Sequence, residues 1–381
     1  MVKIDHKFTI IILFINIVYN LESQSLPELT FYKHYNGTMD TTMQLVLDLS
    51  AIDGKVAGNY YYYFKMPGNE NVFHFGKTVP IEGVISGTKI KMQEFGNSDS
   101  EFLGNISENE ITGTWKRREY EDPIHFKLRE DYSIGSLSLT CYTLTRRQKI
   151  IHEEVDESLL PSAKINIIIL YPDQTLNTTL KDTLDRVITK FMYNKAESLN
   201  SPELLMENIT FDFFQSYIRA TNGIGDITRT ASFNWEKRLS MDVRYNANSI
   251  VSLSFEKYGY TGGAHGIKIK EFFVYYLNWN KQLQLNDIFI AGYNSALNKL
   301  LDSKLRKING IKADESLRDA GFFIDRLECT ENFYVNNDGM GFYYNVYQLA
   351  SYAMGATELF LPYNDIKHLL KNNHPFQWVL P

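Results

Sequence analysis

The chain has 381 residues, 44% of them hydrophobic and 22% charged, which bounds it to about two to three globular domains with room for a sizeable core. Its formal net charge is −6 and no basic stripe runs through it, so the electrostatic footprint of a nucleic-acid partner is missing. The 14% aromatic share, with many Thr, Val and Ile, favours strands over helical bundles.

The N-terminus carries the pattern of an export signal. Lys3 and Lys7 form a positive start, Phe8 to Val18 an apolar run broken only by Thr9 and Asn16, and Leu21 to Ser25 a polar segment suited to cleavage. The run is shorter than the roughly 20 apolar residues that span a bilayer, so residues 1–24 read as a signal peptide. The expected location is outside the cytoplasm, in a periplasm or the extracellular space, with no stable membrane span after cleavage. The two cysteines, Cys141 and Cys329, allow one disulfide in such a compartment or two buried, unpaired thiols.

Residues 30–133 read as a series of short strands. Met43, Leu45, Leu47 and Leu49 alternate with mostly polar neighbours, Asp53-Gly54 and Ser86-Gly87 mark tight turns, and Val56 to Lys65 contains the run Tyr60-Tyr61-Tyr62-Tyr63-Phe64. About seven such strands at regular spacing predict a small antiparallel barrel or sandwich. The tyrosine run and Gly113-Thr114-Trp115 are expected in its core and rim. Residues 134–160 read as a linker, with one strand over Leu137 to Leu144 at its start.

Residues 161–381 change character. Ile165 to Tyr171 is a buried strand; Leu176, Leu180, Leu184, Val187, Ile188 and Phe191 recur at helical spacing. Ser201-Pro202 is a helix start, with Leu204, Leu205, Ile209, Phe213 and Tyr217 as its buried stripe. Long alternating strands follow, then a helix carrying Leu297, Leu300, Leu301 and Leu305 that ends at Gly310, and a hairpin around Asn336-Asn337-Asp338-Gly339. Helices and antiparallel strands mix without a regular βαβ alternation, which predicts an α+β domain with a long antiparallel sheet and a few helices.

Motifs for catalysis are scarce. The sequence has no Gly-x-Ser-x-Gly elbow, no His-Glu-x-x-His helix and no phosphate-binding Gly-rich loop. No cofactor and no metal site are expected, since the two cysteines lie far apart and His152-Glu153-Glu154 lacks a second His at helical spacing. The most specific local pattern is Tyr258-Gly259-Tyr260-Thr261-Gly262-Gly263-Ala264-His265-Gly266. Gly262, Gly263 and Gly266 suit a hairpin turn, and Tyr260 and His265 sit where a rigid sheet presents a loop. A second pattern, Tyr343 to Gly355, concentrates aromatics including Tyr347 and Tyr352, a residue type enriched at binding hot spots. Both patterns also fit plain packing: a turn in the first, half-buried strand tyrosines in the second.

The second domain resembles a bacterial extracellular domain family of unknown function, shared with the RsiV-type lysozyme-sensing anti-sigma factor and found beside a peptidoglycan deacetylase domain. The resemblance spans roughly residues 160–372 and rests on three segments in order: Ser254 to His265, Tyr276 to Phe289, and Phe342 to Ala350 with Gly355 and Leu361-Pro362-Tyr363. It implies an α+β fold, an envelope role and, in one branch, direct binding of a lysozyme. The chain is expected to lack both the cytoplasmic sigma-binding segment and the deacetylase domain, so neither signalling nor that activity carries over. The reading is therefore an exported envelope binding protein without catalysis, its partner a lysozyme or a peptidoglycan fragment, with Tyr260, His265, Tyr347 and Tyr352 as binding residues. Two alternatives stay open: a peptidoglycan-active enzyme, or an accessory module of one, using His265 with a carboxylate; and a structural envelope module.

Overall fold

The computed structural model describes residues 29–66, 69–117, 122–133, 135–150, 160–173, 178–195, 197–222 and 231–379. The expected signal peptide, residues 1–24, lies outside them, as does His152. Among the described residues no helix is long and apolar enough to cross a membrane.

The first domain is a closed barrel. Its strands are β1 (Phe31–Met39), β2 (Met43–Ile52), β3 (Lys55–Met66), β4 (Asn69–Phe75), β5 (Val79–Ser86), β6 (Lys89–Glu94), β7 (Asn97–Ile106), β8 (Glu110–Arg117) and β9 (Ile124–Glu130). The sheet runs β2-β1-β9-β8-β7-β6-β5-β3-β4 and closes through an added β2–β3 pairing. Eight strands thus form an up-and-down barrel, and β4 extends from β3 outside the ring. The alternation along β2 and β3 aims Leu45, Leu47, Leu49, Val56 and Tyr60 into a side-chain-filled interior with Tyr35, Ile90, Phe102 and Phe126. Closure removes the sheet edges that a sandwich would leave exposed.

β1 carries no clean sequence alternation because both of its faces are buried. Tyr35 points into the barrel, while Tyr32 and His34 face outward and are buried too. On that outer face the Tyr32 hydroxyl donates to Asp48 Oδ1 at 2.6 Å and the His34 ring meets the same oxygen at 2.8 Å.

The second domain has a six-stranded sheet in the order β10-β11-β12-β13-β14-β15, formed by β10 (Leu139–Lys149), β11 (Ser162–Pro172), β12 (Glu236–Ala247), β13 (Ile250–Tyr260), β14 (Ile267–Tyr276) and β15 (Lys281–Gln282). β10 spans much of the stretch expected as linker: eleven residue pairs join it to β11, so this segment belongs to the second domain. The β11–β12 pair is parallel, which requires a crossover. Helices α1 (Thr178–Tyr193) and α2 (Pro202–Thr221) supply it and cover one face through Leu184, Ile188, Leu205 and Ile209 against Ile165, Ile167 and Ile169. Ser201 caps α2 by accepting from the Leu204 N–H at 3.1 Å. Leu204, expected on the buried stripe, is 49% exposed instead.

The opposite face is covered by α3 (Leu285–Ile288), α4 (Asn294–Asn309), the small sheet of β16 (Phe333–Val335), β17 (Gly339–Tyr344) and β18 (Thr357–Pro362), and α5 (Tyr363–Ile366). Gly310 ends α4 in the left-handed conformation, as its position predicts. The fold is α+β, with an antiparallel barrel in front.

Cys141 and Cys329 are free thiols. The disulfide that the sequence left open is not formed: Cys141 is buried on the helix-covered side of the sheet, and Cys329 packs against the core on the opposite side. Burial pushes the Cys141 thiol up to about 12, with Asp242 adding to the shift. Burial also raises the Cys329 thiol.

Candidate binding surface

The hairpin joining β13 to β14 carries the first cluster of expected site residues. Gly262 and Gly263 both have φ of +99°, a region closed to most L side chains. Gly266 is required for a different reason: a Cβ there would lie 2.5 Å from the Tyr258 ring. The expected turn role of all three glycines thus has a physical basis in this hairpin.

The second cluster, Tyr343 to Gly355, folds back against the same hairpin. His265 stacks on Tyr352 with centroids 3.7 Å apart and planes 13° apart, and Tyr347 lies 5.9 Å from Tyr352. The Tyr352 hydroxyl donates to the Gly266 carbonyl at 2.8 Å. The His265 Nδ1 lies 3.3 Å from that same carbonyl and Nε2 lies 3.5 Å from the Tyr347 hydroxyl. A carbonyl only accepts, so this network assigns the proton to Nδ1 and leaves Nε2 to accept from Tyr347. Three of the four expected residues therefore meet. Tyr260 does not join them: its hydroxyl donates to the Gly263 carbonyl at 3.1 Å and closes the turn.

Two asparagines that sequence reasoning missed lock the clusters together. The Asn345 side chain accepts from Lys270 N–H at 2.7 Å and donates to the Lys270 carbonyl at 3.0 Å. Asn332 accepts from Phe272 N–H at 2.9 Å and donates to the carbonyls of Lys270 and Tyr343. These amides replace backbone pairing along β14. Asn345 stood inside the aromatic motif; Asn332 carries no signal in the sequence, because its partners on β14 lie about 60 residues away.

The surface has a distinct chemistry. Tyr347 is 50% exposed and holds φ of +68°, a strained state for a tyrosine. Ile267, Ile269 and Met354 are exposed as well, so the first half of β14 runs beyond the core that its alternation suggested. Charge is balanced nearby, with Lys268 and Lys270 both paired to Glu256. The His265 ring nitrogens face a carbonyl and a phenol, and among the described residues no carboxylate bonds to them. Nor do three His, Cys, Asp or Glu side chains converge on a common point there.

Fold and surface define a barrel followed by an α+β domain with an exposed aromatic cluster at a hairpin tip. Residues 160–268 match the family described as "Deacetylase PdaC", and residues 286–364 match "Protein of unknown function (DUF3298)". The chain is 29% identical over 144 residues to the peptidoglycan-N-acetylmuramic acid deacetylase PdaC of Bacillus subtilis (strain 168), a match covering 36% of this chain and 31% of that protein. The chain therefore spans about a third of the length of this relative. A crystal structure of a DUF3298 family member from Bacteroides fragilis aligns with a TM-score of 0.55 at 26% identity, over 65% of this chain and 99% of that one. A DUF3298 family protein from Pseudomonas aeruginosa aligns at 19% identity with a TM-score of 0.42, over 62% of this chain and 95% of that one.

Proposed function

We propose that this chain is an exported envelope protein that binds the glycan of peptidoglycan through the His265–Tyr347–Tyr352 cluster, without itself cleaving it. The observation that carries the reading is the near-parallel stack of the exposed His265 on the half-buried Tyr352, beside an exposed Tyr347. Sugar rings present a C–H-rich face that packs on aromatic faces, while hydroxyls bond the polar ring edges. The cluster stands on a sheet and is clamped by side-chain amides, so little ordering cost is left for binding. The name of the Bacillus relative places that protein on peptidoglycan, and the pattern of residues 1–24 supports export to the same compartment. Among the described residues no carboxylate bonds to the His265 ring to orient it for an acid–base role.

The test is co-sedimentation of the mature protein with purified peptidoglycan sacculi, with Tyr352→Ala and His265→Ala as variants. Wild type is expected in the pellet, and each variant is expected to lose about tenfold in affinity, near 1.4 kcal/mol. Equal pelleting of all three would remove this surface from the reading. Calorimetry with an animal-type lysozyme forms a separate arm: tight binding there, with no binding to sacculi, would replace the glycan by the other partner that the family resemblance implies.

A further inference from the structure

The tyrosine run at 60–63 leads to a second site. Strand alternation sends Tyr60 into the barrel, where its hydroxyl donates to Glu94 at 2.7 Å. Tyr61 and Tyr63 take the opposite face and point toward the second domain. There they help line a cavity of about 340 Å³ at the junction of the two domains, within the range of small-ligand sites.

The walls are aromatic. Tyr63 stacks on Phe75 at 5.3 Å and meets Phe73 edge-on. Trp378, from the C-terminal segment, packs edge-on against Phe75 and lies parallel to Tyr245 at 5.6 Å and 10°. Three carboxamides, Asn36, Asn248 and Gln377, complete the lining, and no charged side chain is part of it. That composition stands out in a chain with 22% charged residues. The Trp378 Nε1–H is buried and has no hydrogen-bond partner, which is uncommon for an indole donor.

These features select a ligand class. A carboxylate or phosphate entering this cavity would lose water and gain no counter-charge, which is costly. A hydrocarbon would leave the buried indole N–H without a partner and the carbonyl oxygens of the amides without a donor. A neutral sugar satisfies both demands: its C–H face meets the rings, and its hydroxyls donate and accept as carboxamides do. An acetamido group adds a carbonyl acceptor for a donor-only indole. We infer that the junction cavity is a binding site for a neutral N-acetylated hexosamine residue of a glycan, distinct from the hairpin-tip cluster and independent of its role.

The walls are held from both domains. Asn59 donates to the Val243 carbonyl at 3.2 Å, and Asn337 donates to the Gly76 carbonyl while accepting from the Thr78 hydroxyl. Asn248 donates to the Tyr245 hydroxyl at 2.6 Å, and Gln377 donates to the Asn372 carbonyl at 2.9 Å. Both sugar-facing amides are thus oriented before a ligand arrives.

The experiment is calorimetric titration of the full mature chain with chitotetraose, the neutral oligomer of N-acetylglucosamine. Cellotetraose, which lacks the acetamido group, and the cationic de-acetylated oligomer serve as comparisons. Chitotetraose is expected to bind with Kd below about 1 mM, and both comparison sugars at least about tenfold more weakly. Gln377→Glu and Asn36→Asp keep side-chain size but add a charge, and each is expected to lower affinity about tenfold. Trp378→Phe keeps a ring and removes the donor, with an expected loss of about fivefold. Unchanged melting of each variant shows that the fold is kept, and the loss caused by Gln377→Glu is expected to be the same in a Tyr352→Ala background. Absence of binding by wild type, equal binding of cellotetraose, or a loss confined to Tyr352→Ala would each overturn the proposal. The last outcome would also assign the sugar to the hairpin tip, which separates the two sites.

Discussion

Two aromatic clusters in this protein use the same residue types for different ends. At the hairpin tip, His265, Tyr347 and Tyr352 come from two loops, the first two open to solvent and Tyr352 half-buried beneath His265. At the domain junction, Tyr61, Tyr63, Phe75 and Trp378 come from the barrel and the C-terminal segment and close around a cavity. An open platform suits a large, insoluble polymer that approaches from outside. A partly open, uncharged cavity suits one residue of a small or flexible ligand. Aromatic content alone does not distinguish these roles; exposure and the chemistry of the surrounding lining do.

The sharpest way to break the comparison is to loosen the junction and leave the tip alone. Asn246 is fully buried, accepts from Leu137 N–H at 2.7 Å, and donates to the Leu137 carbonyl and the Tyr32 hydroxyl at 2.8 Å each. Asn246→Ala removes the partner of the Leu137 N–H and carbonyl and one of the two bonds of the Tyr32 hydroxyl, and is expected to cost about 3 kcal/mol in urea denaturation. Loss of less than about 1 kcal/mol would mean that the junction is not held by this side chain. The next effect has the opposite sign and belongs to the tip. Tyr347→Gly releases the strained left-handed residue and is expected to stabilise the fold by about 1 kcal/mol in the same assay, while weakening sacculus binding. Stabilisation with full binding retained would remove Tyr347 from the surface.

Acid should also act on the junction. His374 Nδ1 accepts from Phe376 N–H at 3.0 Å, a bond that requires a neutral ring nitrogen, and burial lowers the His374 pKa from its usual value. A lowered folded-state value means that the stabilising contribution is present above about 6.5 and is lost as the pH falls through the lowered value. Residues 374–379 carry Gln377 and Trp378, so tryptophan fluorescence is expected to change over that range in wild type and not in His374→Gln. An identical profile in the variant would disconnect His374 from the junction. The smallest effect concerns the thiols. Reducing agent is expected to leave the melting temperature unchanged, the unfolded unreduced protein to show two free thiols, and native Cys141, with its thiol pushed up to about 12, to resist alkylation at mild pH. A count of zero thiols would reinstate the disulfide.

The sequence made some regions legible and hid others for physical reasons. The tip was readable because Gly262, Gly263 and Gly266 mark the turn locally and the second aromatic motif is contiguous. The α+β class followed from periodicities that change between segments. β1 was not readable, since Tyr32 and Tyr35 are buried on opposite faces and no alternation results. The strand expected over Leu137 to Leu144 runs on to Lys149; its last residues read as linker because Arg146, Arg147 and Lys149 line a sheet edge, and edge strands tolerate charge. The junction cavity was invisible because Asn36 and Trp378 stand more than 300 residues apart. Tyr260 stands apart from the other three expected residues because its hydroxyl donates to the Gly263 carbonyl of its own turn, a local bond that the sequence does not distinguish from a free hydroxyl.

The central claim is that the His265–Tyr352 stack meets the glycan. The most direct test follows the histidine ring resonances of the mature protein by NMR while soluble peptidoglycan fragments are added. The account predicts a saturable shift of His265, abolished by Tyr352→Ala, with the buried His34 resonance unmoved. Fragment binding with His265 unshifted, or no binding at saturating fragment, would contradict it.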